Sequence, residues 1–185
     1  MDNLIKEGKI EPMVAVMIDN PTGTSRLTEL PCNFDFKQFV IDELVPFIRK
    51  EYHISLNPAE NIIGGISYGG LAATFIAFYH ADIFGKVLSQ SGSLWRDLEL
   101  RYDYDGVEIR SDWLINQFLV EENKDLKIFL DWGLQENWCL LSGRRMARVL
   151  DRKGYTYKFV EFNGWHDWSN SRKTFPAGLL YLLQD

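Results

Sequence analysis

Cysteine and histidine are scarce in this 185-residue chain, with two and three copies. Cys32 and Cys139 lie far apart, and no CxxC pair or Cys/His metal spacing is present. Two buried thiols are expected, with a disulfide as the alternative. No apolar run approaches the roughly 20 residues that span a bilayer. The first ten residues, MDNLIKEGKI, lack the apolar stretch of a secretory leader. A cytoplasmic protein with no membrane partner is therefore expected. Positive charge is in the minority, with 20 Lys and Arg against 26 Asp and Glu, for a net −6. That balance argues against a nucleic-acid partner, which wants a basic face. Any anionic ligand must be met by local arginines. No P-loop or GxGxxG motif appears, so no cofactor is expected. Repeats, low-complexity stretches and long linkers are missing too, and residues 1–185 read as one domain.

What the chain does have is aromatic residues, 14% of the total and including 6 Trp. Most rings of this kind fill cores; an aromatic-lined pocket is the functional alternative. Short apolar runs alternate with helical patterns. Strands are expected at Met13–Ile18, at 61–64, around Lys86–Ser89, at Leu126–Leu130 and at 155–162. Helices are expected at 2–8 with Gly8 as a stop, at 34–52 with a kink at Pro46, and at 71–79. Further helices fall at 111–120, at 138–153 closed by Gly154, and at 174–184. Residues 19–33, 55–60, 91–110 and 131–137 read as loops. This alternation predicts an α/β fold, a mostly parallel sheet with helices on both faces.

The strongest chemical signal is Gly65-Ile66-Ser67-Tyr68-Gly69, a G-x-S-x-G sequence between an expected strand and an expected helix. In that setting the serine sits on a tight turn with its Oγ thrust outward, and its neighbours must be small because strand and helix approach closely. The helix N-terminus favours developing negative charge. The Tyr68 N–H points to where an oxyanion would form. A nucleophilic serine needs a base. Of His53, His80 and His166, only His166 comes last and follows a strand, as the order Ser, acid, His requires. The acid belongs in the loop after the strand at 126–130, where Asp131 and Glu136 both qualify and Glu136 is better placed. Asp167 abuts His166, a poor position for pairing. Arg26, in a loop after the first strand, and Trp95 are the candidate substrate-binding residues.

Together these segments resemble the putative-esterase family, in its enterochelin-esterase branch. The resemblance runs through Val16-Met17-Ile18-Asp19, Arg26, Glu29-Leu30-Pro31-Cys32-Asn33 and Phe39–Pro46. It continues in Gly65–Leu71, in Phe84–Ser93, in Gly164-Trp165-His166-Asp167-Trp168, and at Arg172 and Gly178-Leu179. It implies an α/β-hydrolase fold and hydrolysis of ester bonds in a catecholate siderophore, releasing iron. Ser67 would be nucleophile, His166 base, Glu136 acid, and Arg26 a contact to the anionic catecholate. The sequence departs from the family pattern at Trp165 and Ser171 beside the histidine. The family's N-terminal strands, and the loop that gives a second oxyanion donor, precede the segment matched here. A fragment of a longer esterase is expected, with an unpaired sheet edge that a homo-oligomer would cover. Two rivals remain: a feruloyl or acetyl carbohydrate esterase, and a non-catalytic or weakly active binding domain.

Overall fold

The computed structural model describes residues 1–96 and 111–184. In chain order come α1 (Asp2–Lys6), α2 (Gly23–Glu29), α3 (Phe34–Phe39), α4 (Val45–Tyr52) and β1 (Ile62–Ile66). They are followed by α5 (Tyr68–Tyr79), β2 (Lys86–Gln90), α6 (Trp113–Val120) and β3 (Lys127–Gly133). Last are α7 (Trp138–Lys153), β4 (Thr156–Phe162) and α8 (Trp168–Leu183). The strands form a sheet in the order β1-β2-β3-β4, every neighbouring pair parallel. Parallel neighbours require crossovers. The strand order equals the chain order, so each crossover steps along the sheet by one strand.

Alternation along the strands gives the sheet two apolar faces. Val87, Ile128, Leu130 and Trp132 point into one cluster with α5, α6 and α7, built around Leu71, Phe75, Phe118, Met146 and Leu150. Leu88 and Phe129, one residue out of step, point into a second cluster with Leu179 and Leu182 of α8. Helices thus cover both faces, as expected. α5 is apolar nearly all round, and its residues from Gly70 to Phe78 are buried. Cys32 and Cys139 are both buried thiols, with no disulfide between them.

Several expectations need correction. Residues 13–18 form no strand. Val14, Val16, Met17 and Ile18 are 46–89% exposed. An apolar run becomes a strand only when a neighbour takes up its N–H and C=O groups, and this segment joins no ladder among the described residues. Arg26 lies not in a loop but in the last turn of α2, which opens with a capping box between Thr22 and Ser25. β3 runs past residue 130 to Gly133, so Asp131 sits in a strand. The helix at 34–52 is interrupted by a π-turn at Val40–Leu44 just before Pro46. Proline offers no N–H to the ladder, and a widened turn there lets the chain continue helically. The last helix starts six residues earlier than expected because Asp167 caps it, accepting from Asn170 N–H at 2.9 Å. Of the loop expected at 91–110, residues 97–110 lie outside the described residues.

Close packing of α7 on β3 suggests a direct stability test. A Cβ on Gly143 would stand 2.5–2.8 Å from the ring of Trp132, which is fully buried. Replacing glycine by alanine gains about 1 kcal/mol of helix propensity, but overpacking a core costs roughly 1–3 kcal/mol. Gly143→Ala should therefore lower the unfolding free energy by about 1 kcal/mol in urea denaturation, the mid-range overpacking cost less the propensity gain. Unchanged or raised stability would mean the α7–β3 contact is looser than described.

Candidate active site

Ser67 occupies the junction of β1 and α5 with φ 60° and ψ −122°. A non-glycine residue in the positive-φ region carries strain of about 1–3 kcal/mol and must be held there by its surroundings. Three backbone hydrogen bonds do so. Ser67 N–H donates to the Gln90 carbonyl at 2.9 Å, and its own carbonyl accepts from Leu71 N–H at 3.0 Å and Ser93 N–H at 3.1 Å. The turn is tight enough that a Cβ on Gly65 would collide with the backbone of Gly69. Ser67 Oγ lies 3.4 Å from Ser93 Oγ. Tyr68 is the first residue of α5, so its N–H faces outward from the helix N-terminus.

His166 stands in the turn between β4 and α8, its side chain 41% exposed. Its Nδ1 is 2.8 Å from Glu136 Oε2. Glu136 follows β3, and none of its side-chain surface is exposed. Its second oxygen, Oε1, accepts from Gly133 N–H at 2.6 Å and from Ser91 Oγ at 2.6 Å. A buried carboxylate needs such donors, because removing it from water is otherwise prohibitive. Asp131, the other acid candidate, does not face His166. It is fully buried within β3 and takes Gln90 Nε2 at 3.2 Å and Ser91 N–H at 3.3 Å. Burial pushes its pKa above the ordinary value, against the opposing effect of hydrogen bonds from Thr174, Gln90 and Ser91. Asp167 is occupied as the cap of α8 through Ser169 and Asn170. The other histidines lie elsewhere. His53 ends α4 in the left-handed region, and His80 neighbours Lys37 and Asp82.

Ser67, Tyr68, Trp95, Glu136 and His166 line one cavity of about 330 Å³, together with Ser93, Gln135, Asn137 and Cys139. Ser67 and His166 are not hydrogen-bonded to each other, although they share this space. Trp95 is 7% exposed and forms wall. Arg26 is not among the lining residues, but its guanidinium lies 5.7 Å from the centroid of the Tyr68 ring. Arg96, which sequence reasoning passed over, lies 5.6 Å from the same ring. Two cations therefore converge on the residue beside Ser67. Ser91 and Ser93 were also missed. The polar Ser-Gly-Ser run at 91–93, directly after a strand, was the available signal.

Comparison with known proteins gives the chain a family. A family model described as "Putative esterase" matches residues 1–182. The chain belongs to that family. It is 38% identical over 186 residues to the iron(III) enterobactin esterase of Escherichia coli (strain K12), covering 100% of this chain and 45% of that protein. The enterobactin esterase of Shigella flexneri, solved in the presence of 2,3-dihydroxy-N-benzoyl-serine, superposes with a TM-score of 0.85 at 28% identity. That match covers 97% of this chain and 46% of the other. The chain thus spans about half the length of these relatives. A ferulic acid esterase superposes with a TM-score of 0.67 at 19% identity over 80% of this chain, a likeness of fold alone. The parallel sheet with helices on both faces is accordingly the α/β-hydrolase fold of the family.

The upward shift at Asp131 makes a prediction about stability. The folded chain holds this proton at pH values where the unfolded chain, titrating near 3.8, has lost it. Stability from this group is therefore full below pH 3.8 and is lost as pH rises through the folded pKa. Urea denaturation across that window should show the unfolding free energy falling with pH more steeply in the wild type than in Asp131→Asn. Equal slopes would mean that Asp131 is not shifted by its burial.

Proposed function

We propose that this chain is the catalytic part of a serine esterase that hydrolyses ester bonds of a catecholate siderophore, releasing its iron, through Ser67, His166 and Glu136. The observation that carries the reading is the buried Glu136 carboxylate 2.8 Å from His166, the two lining the same cavity as a serine held at positive φ. That combination has a chemical purpose that neither half has alone.

Each group then has a defined task. Ser67 Oγ turns from Ser93 toward His166, which takes its proton as Oγ attacks the ester carbonyl carbon. Glu136 holds the imidazole by Nδ1 and stabilises the imidazolium that forms. The tetrahedral oxyanion is met by the Tyr68 N–H at the start of α5. Collapse breaks the bond to the leaving alkoxide oxygen, which receives the proton from His166. Water then repeats the sequence on the acyl-serine and regenerates Ser67. The substrate is a small molecule, and the iron is cargo bound by its catecholates. A cytoplasmic place of action belongs to the same reading; no helix among the described residues is long and apolar enough to cross a membrane.

The siderophore assignment draws support from the names of the enterobactin-esterase relatives and from the Arg26–Tyr68 contact. The Arg26 guanidinium, 5.7 Å from the centroid of the Tyr68 ring, is the cation assigned to the anionic catecholate in this reading. Steady-state assays of a ferric catecholate triester beside a feruloyl sugar ester test the substrate class. The triester should be turned over with a kcat/KM at least about tenfold higher; preference for the feruloyl sugar would overturn the assignment.

Arg26 adds a second prediction. Arg26→Ala should raise KM for the anionic triester about tenfold, as expected for one lost charge-assisted contact. Its effect on a neutral aryl ester should be under twofold. Equal effects on both substrates would remove Arg26 from substrate recognition.

A further inference from the structure

Ser91 is one of the positive-φ residues that are not glycine, with φ 46°. It follows β2 and is 2% exposed. A turn that required only this backbone conformation would be met with less strain by glycine. What serine adds is its hydroxyl, and that hydroxyl has one partner of consequence: it donates to Glu136 Oε1 at 2.6 Å. The backbone of Ser91 is anchored separately. Its N–H lies 2.8 Å from the Asp131 carbonyl and 3.3 Å from Asp131 Oδ1. Asp131 is itself fixed in β3 by its pairing with Gln90.

These contacts form a chain of support from the sheet to the base. β3 holds Asp131, Asp131 holds the Ser91 backbone, and Ser91 Oγ holds one oxygen of Glu136. Gly133 N–H takes the same oxygen from the other strand end at 2.6 Å. With Oε1 occupied by two donors, Oε2 is the oxygen turned toward His166 Nδ1. A glutamate has more rotatable bonds than an aspartate, so its carboxylate needs fixing before it can orient an imidazole. Neither donor touches the reacting atoms.

We propose that Ser91 is a positioning residue for the acid: its hydroxyl locks the Glu136 carboxylate in the orientation that presents Oε2 to His166. The proposal rests on the reading of Glu136 as the acid. Ser91 makes this contact from a positive-φ backbone that glycine would adopt with less strain.

Ser91→Gly is the appropriate variant, because glycine accepts the backbone conformation and removes only the hydroxyl and its carbon. Ser91→Gly should stay folded, its lost hydrogen bond offset in part by the relieved backbone, and lower kcat for a neutral aryl ester about tenfold. KM should stay within twofold. The decisive measurement is the double-mutant cycle with Glu136→Ala. Placed in that background, Ser91→Gly should change kcat by less than twofold, because the carboxylate it holds is gone. A tenfold loss that recurs undiminished in the Glu136→Ala background would overturn the proposal. So would a wild-type kcat in Ser91→Gly while Glu136→Ala is impaired. If Glu136→Ala itself retains full kcat, the assignment of the acid fails first, and the positioning role falls with it.

Discussion

The site depends on one strained residue. Ser67 must sit at positive φ for its Oγ to project from the seam between β1 and α5, and only the surrounding structure makes that conformation affordable. The carbonyl of Gln90 and the N–H of Ser93 both bind the Ser67 backbone, so the strand next door and the turn after it fix Ser67. β1 and β2 must therefore pair in the observed parallel register, with Ile66 beside Gln90. α5 must pack tightly enough that its first turn closes over Gly65. The buried, all-apolar character of α5 follows from the same need: a helix with a water-facing side could not be driven so deeply against the sheet.

The second constraint is the burial of Glu136. A carboxylate with no exposed side-chain surface holds its place only through the groups around it: Gly133, Ser91 and His166. Each comes from a different strand end. Gly133 closes β3, Ser91 follows β2, and His166 follows β4. Because parallel strands end on the same side of a sheet, their loops gather there, and the crevice at the carboxyl ends becomes the natural place for ligands. The same topology that builds the core thus brings together residues up to 99 positions apart, from Ser67 to His166.

Much of this was legible in the sequence, for identifiable reasons. Strands and helices at the centre announce themselves through short apolar runs and glycine punctuation. The G-x-S-x-G turn carries its geometry in its composition. His166 could be singled out because so few histidines exist to choose from. The errors fall where local pattern is ambiguous. Met13–Ile18 has the composition of a buried strand, yet composition does not supply a neighbour. The helix carrying Arg26 is short and polar, and only its Thr22–Ser25 cap marked it. Glu136 reads as better placed than Asp131 from the sequence, but both follow the same apolar run; what distinguishes them in the structure is that β3 continues two residues past Asp131 and turns it into the interior. Ser91, Ser93 and Arg96 acquire meaning only through contacts with distant segments, which no local pattern encodes.

The central claim is that Ser67 and His166 form a working nucleophile–base pair within these residues. Intact-mass analysis after treatment with a fluorophosphonate, followed by peptide mapping, tests it most directly. The reagent requires an activated serine and a site that holds an oxyanion-like adduct. The account predicts one adduct per chain, on Ser67, and none in the His166→Ala variant. A folded chain that takes no adduct, or one labelled equally well without His166, would contradict it.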